Sequence, residues 1–228
     1  MISARTVLLS VFLCAQFAAF FVLAWRGWWQ RFPGFMVALA LACLQALTGA
    51  VGQPHTLIWW RYTWTPVEYF AVLATCAAAA ECVWQRTRCL DPMERFSCRF
   101  APAMIGIGVA GLAWDVRRPD WYGWLVYARE YVWIGCTLVL AWLVLFLLVR
   151  PVHAEARGPR DHSYVLLVLL LAHALIAPLR RRGFDGDVAQ AAFRAITAAC
   201  CAAWIRFGAD AEAGAAPSPS NPHESPCR

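Results

Sequence analysis

The sequence predicts an all-α membrane protein, a bundle of seven transmembrane helices. Three observations predict it. The 228 residues are 61% hydrophobic and only 15% charged, whereas a soluble domain averages about 45–50% apolar and about 25% charged. The apolar residues fall into seven runs separated by short breaks rich in Arg, Gly and Pro. Most of the 13 Trp lie near the ends of those runs, as aromatic anchors at a membrane–water interface do.

The runs cover residues 6–25, 34–52, 66–85, 101–114, 124–149, 164–179 and 187–207. Together they make one domain over residues 1–207. The first could be a cleaved signal peptide, but it is long and no small-x-small cleavage site follows it. The second ends at Gly52-Gln53-Pro54, which stops a helix. The third follows the aromatic segment Trp59–Trp64, with Thr65 placed to cap it and Pro66 at its first helical position. The fourth is short, and Gly106, Gly108, Ala110 and Gly111 predict a close approach by another backbone. The fifth is the longest and has room to tilt. The sixth carries Pro178 near its end. In the seventh, Ala195, Ala199 and Ala203 recur at four-residue spacing as a packing face. Residues 208–228, rich in Ala, Pro, Ser and Gly, read as a disordered tail.

All 20 basic residues are Arg. Chemistry that needs a lysine amine, including a retinal Schiff base, is therefore excluded. With the N-terminus outside, ten Arg fall in inner loops and seven in outer ones, so the positive-inside rule orients the C-terminus to the cytoplasm. The ten Cys include no CxxC pair, and the three predicted in loops or tail, Cys89, Cys98 and Cys227, fall on the inner side. The predicted location is a cell membrane crossed several times, read as a bacterial inner membrane.

Ionisable groups inside a bilayer are costly, and each is a candidate for function. At about 1.5 Å per residue, Gln45, Arg129, Glu130, His173 and Arg194 converge at roughly 8–10 Å below the outer face, with Glu68 nearer the rim. Tyr127 and Tyr131, one helical turn apart, face the same end. These eight residues form the predicted ligand site, suited to a small molecule polar at one end and flat or apolar at the other. A second reading stands beside it: Glu130 pairs with Arg194 inside the bundle, and Arg129 snorkels outward. Glu81, at the inner end of the third run, reads as a partner of Arg86 or Arg88 across a turn.

No cofactor is predicted. Haem would need His173 and a loop histidine such as His55, and His153, His162 and His223 also read as loop or tail residues. Cys89, Asp91, Glu94 and Cys98 match no zinc spacing. HExxH, GxSxG and P-loop motifs are absent, so no enzyme is expected.

The run carrying Tyr62, Trp64, Glu68 and Glu81, followed by the basic loop from Arg86, resembles that of uncharacterised small bacterial seven-helix membrane proteins. The resemblance covers most of the chain by helix layout and specific residues in this helix only; it implies fold and location, with no activity attached. The layout also resembles sensory receptors, although the lysine of microbial rhodopsins is missing from the seventh run. The expected function is a sensory or small-ligand-binding protein with an outward-facing pocket. The alternatives are an accessory subunit of a larger membrane complex and, third, a small transporter. Expected partners are the lipid bilayer and a cytoplasmic or membrane protein, not nucleic acid.

Overall fold

The computed structural model describes residues 4–51, 65–88, 90–115, 121–149, 157–181 and 185–213. Among them eight helices form and no strand: α1 (Ala4–Trp25), α2 (Trp28–Arg31), α3 (Pro33–Val51), α4 (Thr65–Thr87), α5 (Pro92–Asp115), α6 (Trp121–Val149), α7 (Arg157–Arg181) and α8 (Gly186–Ala213). Four carry a stretch long and apolar enough to cross a membrane: Val7–Trp25, Pro66–Thr87, Ala128–Leu148 and Gly186–Phe207. In α3 the apolar stretch is shorter, Pro33–Leu47.

Six of the long helices close into a ring. In order around it, α1 packs on α3, α3 on α4, α4 on α6, α6 on α7, α7 on α8, and α8 returns to α1. A further contact between α4 and α7 crosses the ring. Helix α5 lies outside, packed on α6 and barely touching α4. Each ring helix contributes one stripe at helical spacing to a shared core: Ala19 and Leu23 on α1, Cys136, Leu140, Leu143 and Leu147 on α6, Leu166 and Leu170 on α7, Cys200 and Trp204 on α8. The outward faces are no less apolar. Phe21, Leu44, Phe70, Ile107, Leu145 and Leu171 are all exposed, far beyond the isolated apolar patches of a water-soluble surface.

Local sequence explains the helix ends. Gly27 has φ 71°, a left-handed turn suited to glycine, which lets α1 reverse into α2. Arg26 then donates to the Ile205 carbonyl at 2.8 Å and ties this turn to α8. Pro33, Pro66 and Pro92 sit in first turns, where the missing N–H costs nothing.

Glu81 departs from its expected role. Its carboxylate accepts from the backbone N–H groups of Gly34 at 2.6 Å and Phe35 at 2.9 Å. A neighbouring helix thus supplies the cap of α3, with negative charge at a helix N-terminus, in place of a pair with Arg86 or Arg88. Gly34 is required by this contact: a Cβ there would lie 2.9 Å from Ala77 Cβ and 3.1 Å from Glu81 Cδ.

Other expectations are corrected. A Cβ on Gly106, Gly108 or Gly111 would meet nothing within 4 Å, so α5 does not use them for close packing. The tight approach is made by Gly135 of α6, where a Cβ would lie 2.6 Å from Val109 Cγ2. Ala195 and Ala199 are exposed, because α8 turns Thr197, Cys200, Cys201 and Trp204 inward instead. Helix α5 begins at Pro92 rather than near residue 101, and α7 at Arg157 rather than 164. Their polar first turns run on from the apolar segments as continuous helix. Likewise α8 continues to Ala213, so the first residues assigned to the tail are helical; residues 214–228 lie outside the described residues.

Candidate functional site

Helix α4 places Glu68 in its first turn, where the helix dipole favours a carboxylate. The side chain is buried. Helix α6 brings Arg129 to it, and Arg129 Nη1 donates to Glu68 Oε1 at 2.6 Å. The guanidinium also lies over the ring of Trp133, one turn further along α6, at 4.7 Å from its centroid. Trp133 meets His173 of α7 edge to face at 4.6 Å, and His173 meets Phe193 of α8 at 4.5 Å. The Nδ1 of His173 contacts the Leu169 carbonyl one turn back at 2.9 Å. A continuous path of charge and aromatic rings therefore links four helices, α4, α6, α7 and α8. Arg129 Nε is buried with no hydrogen-bond acceptor.

The predicted site residues divide accordingly. Glu68, Arg129 and His173 belong to this path. Arg194 is half-buried beside Phe193 in sequence. Glu130 and Tyr131 are half-buried on α6, and Glu130 has a partner. Gln45, half-buried on α3, also has one. The side chain of Tyr127 lies outside the described residues, as do His55, His153, Cys89 and Cys227. Among the described residues no ion pair joins Glu130 to Arg194, and Arg129 does not snorkel outward: it turns inward to Glu68.

The opposite end of the bundle, the end of Glu81, holds groups whose polar surroundings in the sequence suggest a loop. His162 is buried in α7. It packs against Phe32 at 4.5 Å, Phe35 at 4.6 Å, Trp28 at 5.4 Å and Trp204 at 5.9 Å, ring centroid to centroid. Neither ring nitrogen has a hydrogen-bond partner, and burial pushes its pKa from 6.5 down to about 3. The signal was present in the sequence: His162 and His173 are eleven residues apart, about three full helical turns, and so share one face. Arg86 is buried beside it and donates to Ser163 Oγ at 2.8 Å. Arg99 donates through Nε to Thr87 Oγ1 at 2.9 Å and lies 4.1 Å from the Trp84 ring. Cys98 is fully buried rather than in a loop, and burial pushes its thiol pKa up.

An all-helical fold with four membrane-length apolar helices and an apolar outer surface is the makeup of a multi-pass membrane protein. Comparison of the chain with protein families, curated proteins and solved structures finds no match.

Proposed function

We propose that the chain is a seven-span membrane protein that binds a small ligand at the Glu68–Arg129 end of the bundle and signals without catalysis. The observation that carries this reading is Arg129. Its charge is held by a buried carboxylate on a neighbouring helix, its face lies on Trp133, and its Nε–H has no acceptor. A ligand with a carboxylate or carbonyl group and a flat apolar part would find there one free donor, one cation and one ring. Binding would loosen Arg129 from Glu68, and the change would pass through Trp133 and His173 to α8. Helix length supports seven crossings: the shortest long helix, α3 with 19 residues, extends about 28 Å, close to the roughly 30 Å hydrocarbon core. The Arg distribution supports an outside N-terminus and a cytoplasmic C-terminus.

Thermal unfolding of the detergent-purified protein against a panel of aromatic carboxylates and amides tests the reading. At least one compound should raise Tm in the wild type and lose that effect in Arg129→Gln. A panel that shifts nothing at millimolar concentration, or shifts both proteins alike, counts against it.

One observation favours a second reading, an accessory subunit. Helix α5 is held mainly by α6, and Phe96, Phe100, Met104 and Ile107 are exposed along it. A stoichiometric second polypeptide in the native mass of the purified protein would support that alternative.

A further inference from the structure

Because α5 packs on α6 but barely on α4, a crevice of about 480 Å³ opens between the three helices. Ala79, Ala80, Ala103 and Gly106 keep it wide, and Val83, Val109, Val132 and Val139 make its walls apolar. The charged group in its lining is Arg99, at the Glu81 end. From Arg99 to Ala110 the crevice extends roughly 16 Å along α5, at 1.5 Å per residue. That matches half of the roughly 30 Å hydrocarbon core, the depth of one leaflet. Arg99 is held by Thr87 and Trp84 through its Nε and one face, and among the described residues it joins no ion pair. Its terminal nitrogens are donors without a carboxylate.

We propose that this crevice holds one acyl chain of an anionic phospholipid, with the lipid phosphate on Arg99. The crevice has the length of a single leaflet's chain, it is apolar along that length, and its cation lies at one end only. A phosphate accepts from a guanidinium as a paired, charge-assisted partner, and the Thr87 bond holds Arg99 in place to donate. The lipid would complete the contact between α4 and α5 that side chains leave open. This site is at the opposite end of the bundle from Glu68–Arg129 and stands whether or not that pair binds a ligand.

Native mass spectrometry of the protein from nanodiscs of phosphatidylglycerol or of phosphatidylcholine tests it, with two variants. Gly106→Phe puts a ring at a crevice-lining position where a Cβ meets nothing within 4 Å, and thermal unfolding of the variant checks that it folds. Arg99→Gln removes the charge. The expected result is one retained lipid per chain, phosphatidylglycerol in preference to phosphatidylcholine. Arg99→Gln should weaken phosphatidylglycerol binding by roughly tenfold, the effect of one charge-assisted hydrogen bond. Gly106→Phe should abolish the adduct with Tm nearly unchanged. No retained lipid, equal retention of the two lipids, an adduct that survives Gly106→Phe, or a polypeptide bound in place of lipid would each overturn the proposal.

Discussion

A half-buried arginine has to be accounted for charge by charge. Arg129 is neutralised by Glu68 across a 2.6 Å contact, with the Glu68 side chain 8% exposed and that of Arg129 26% exposed. Removing one member of such a pair leaves the other charge uncompensated, which typically costs about 3–5 kcal/mol, whereas replacing both with apolar groups is often neutral. Glu68→Gln should therefore destabilise by about 3 kcal/mol. The double variant Glu68→Leu/Arg129→Met should recover most of that loss in chemical unfolding of the detergent-solubilised protein. His162 makes a prediction of the opposite kind. It is held neutral: the unfolded chain takes up a proton near pH 6.5, the folded one only near pH 3. Between those values the unfolded state binds the extra proton, so stability falls as pH drops below about 6.5, by up to about 1.4 kcal/mol per unit. From pH 7 to pH 5 this one ring should cost up to about 2 kcal/mol. His162→Phe, which suits an aromatic cage, should remove that share of the Tm decrease.

At the scale of the helix, the contact between α5 and α6 depends on a single missing methyl group. Gly135→Ala would put a Cβ 2.6 Å from Val109 Cγ2, and overpacking of this kind costs about 1–3 kcal/mol. Gly108→Ala, in open space, should leave Tm unchanged or raise it slightly through helix propensity. Comparing the two variants by thermal unfolding checks which glycine is structural. The run of glycines on α5 had suggested the reverse. A sequence shows that small residues recur on a helix, but which face meets a neighbour depends on packing that lies far off in the chain. The same reason hid the roles of Glu81 and Arg129. Their nearest charged neighbours in sequence are Arg86 and Glu130, yet their partners are 47 and 61 residues away. Helix positions, by contrast, were legible, because apolar length and Pro or Gly breaks are local properties. Their polar ends were not, since charged residues break up Pro92–Phe100 and Arg157–Ser163, which are helical all the same. Glu68, Arg129 and His173 were recognisable as a group because charge inside an apolar run stands out wherever its partner lies.

For the whole molecule, the ring order α1–α3–α4–α6–α7–α8 closes the first helix on the last. It leaves α5 outside and sets two polar centres at opposite ends, Glu68 with Arg129 and His162 with Arg86 and Ser163. An aqueous protein with this surface would aggregate through Phe21, Phe70, Leu145 and their neighbours; a bilayer covers them. In the proposed arrangement, seven crossings with the N-terminus outside, the Glu68–Arg129 pair would lie in the outer leaflet, within reach of a ligand from outside, and Arg99 at the inner headgroups. Topology reporters inserted in turn after each long helix test that arrangement most directly. Seven crossings with the N-terminus outside predict outside signals within residues 52–64, 116–120 and 182–184. They predict inside signals near Gly27, near Cys89, within 150–156 and after Ala213. Signals on the same side at both ends of α3, α5 or α7, or an outside signal after Ala213, would contradict the account.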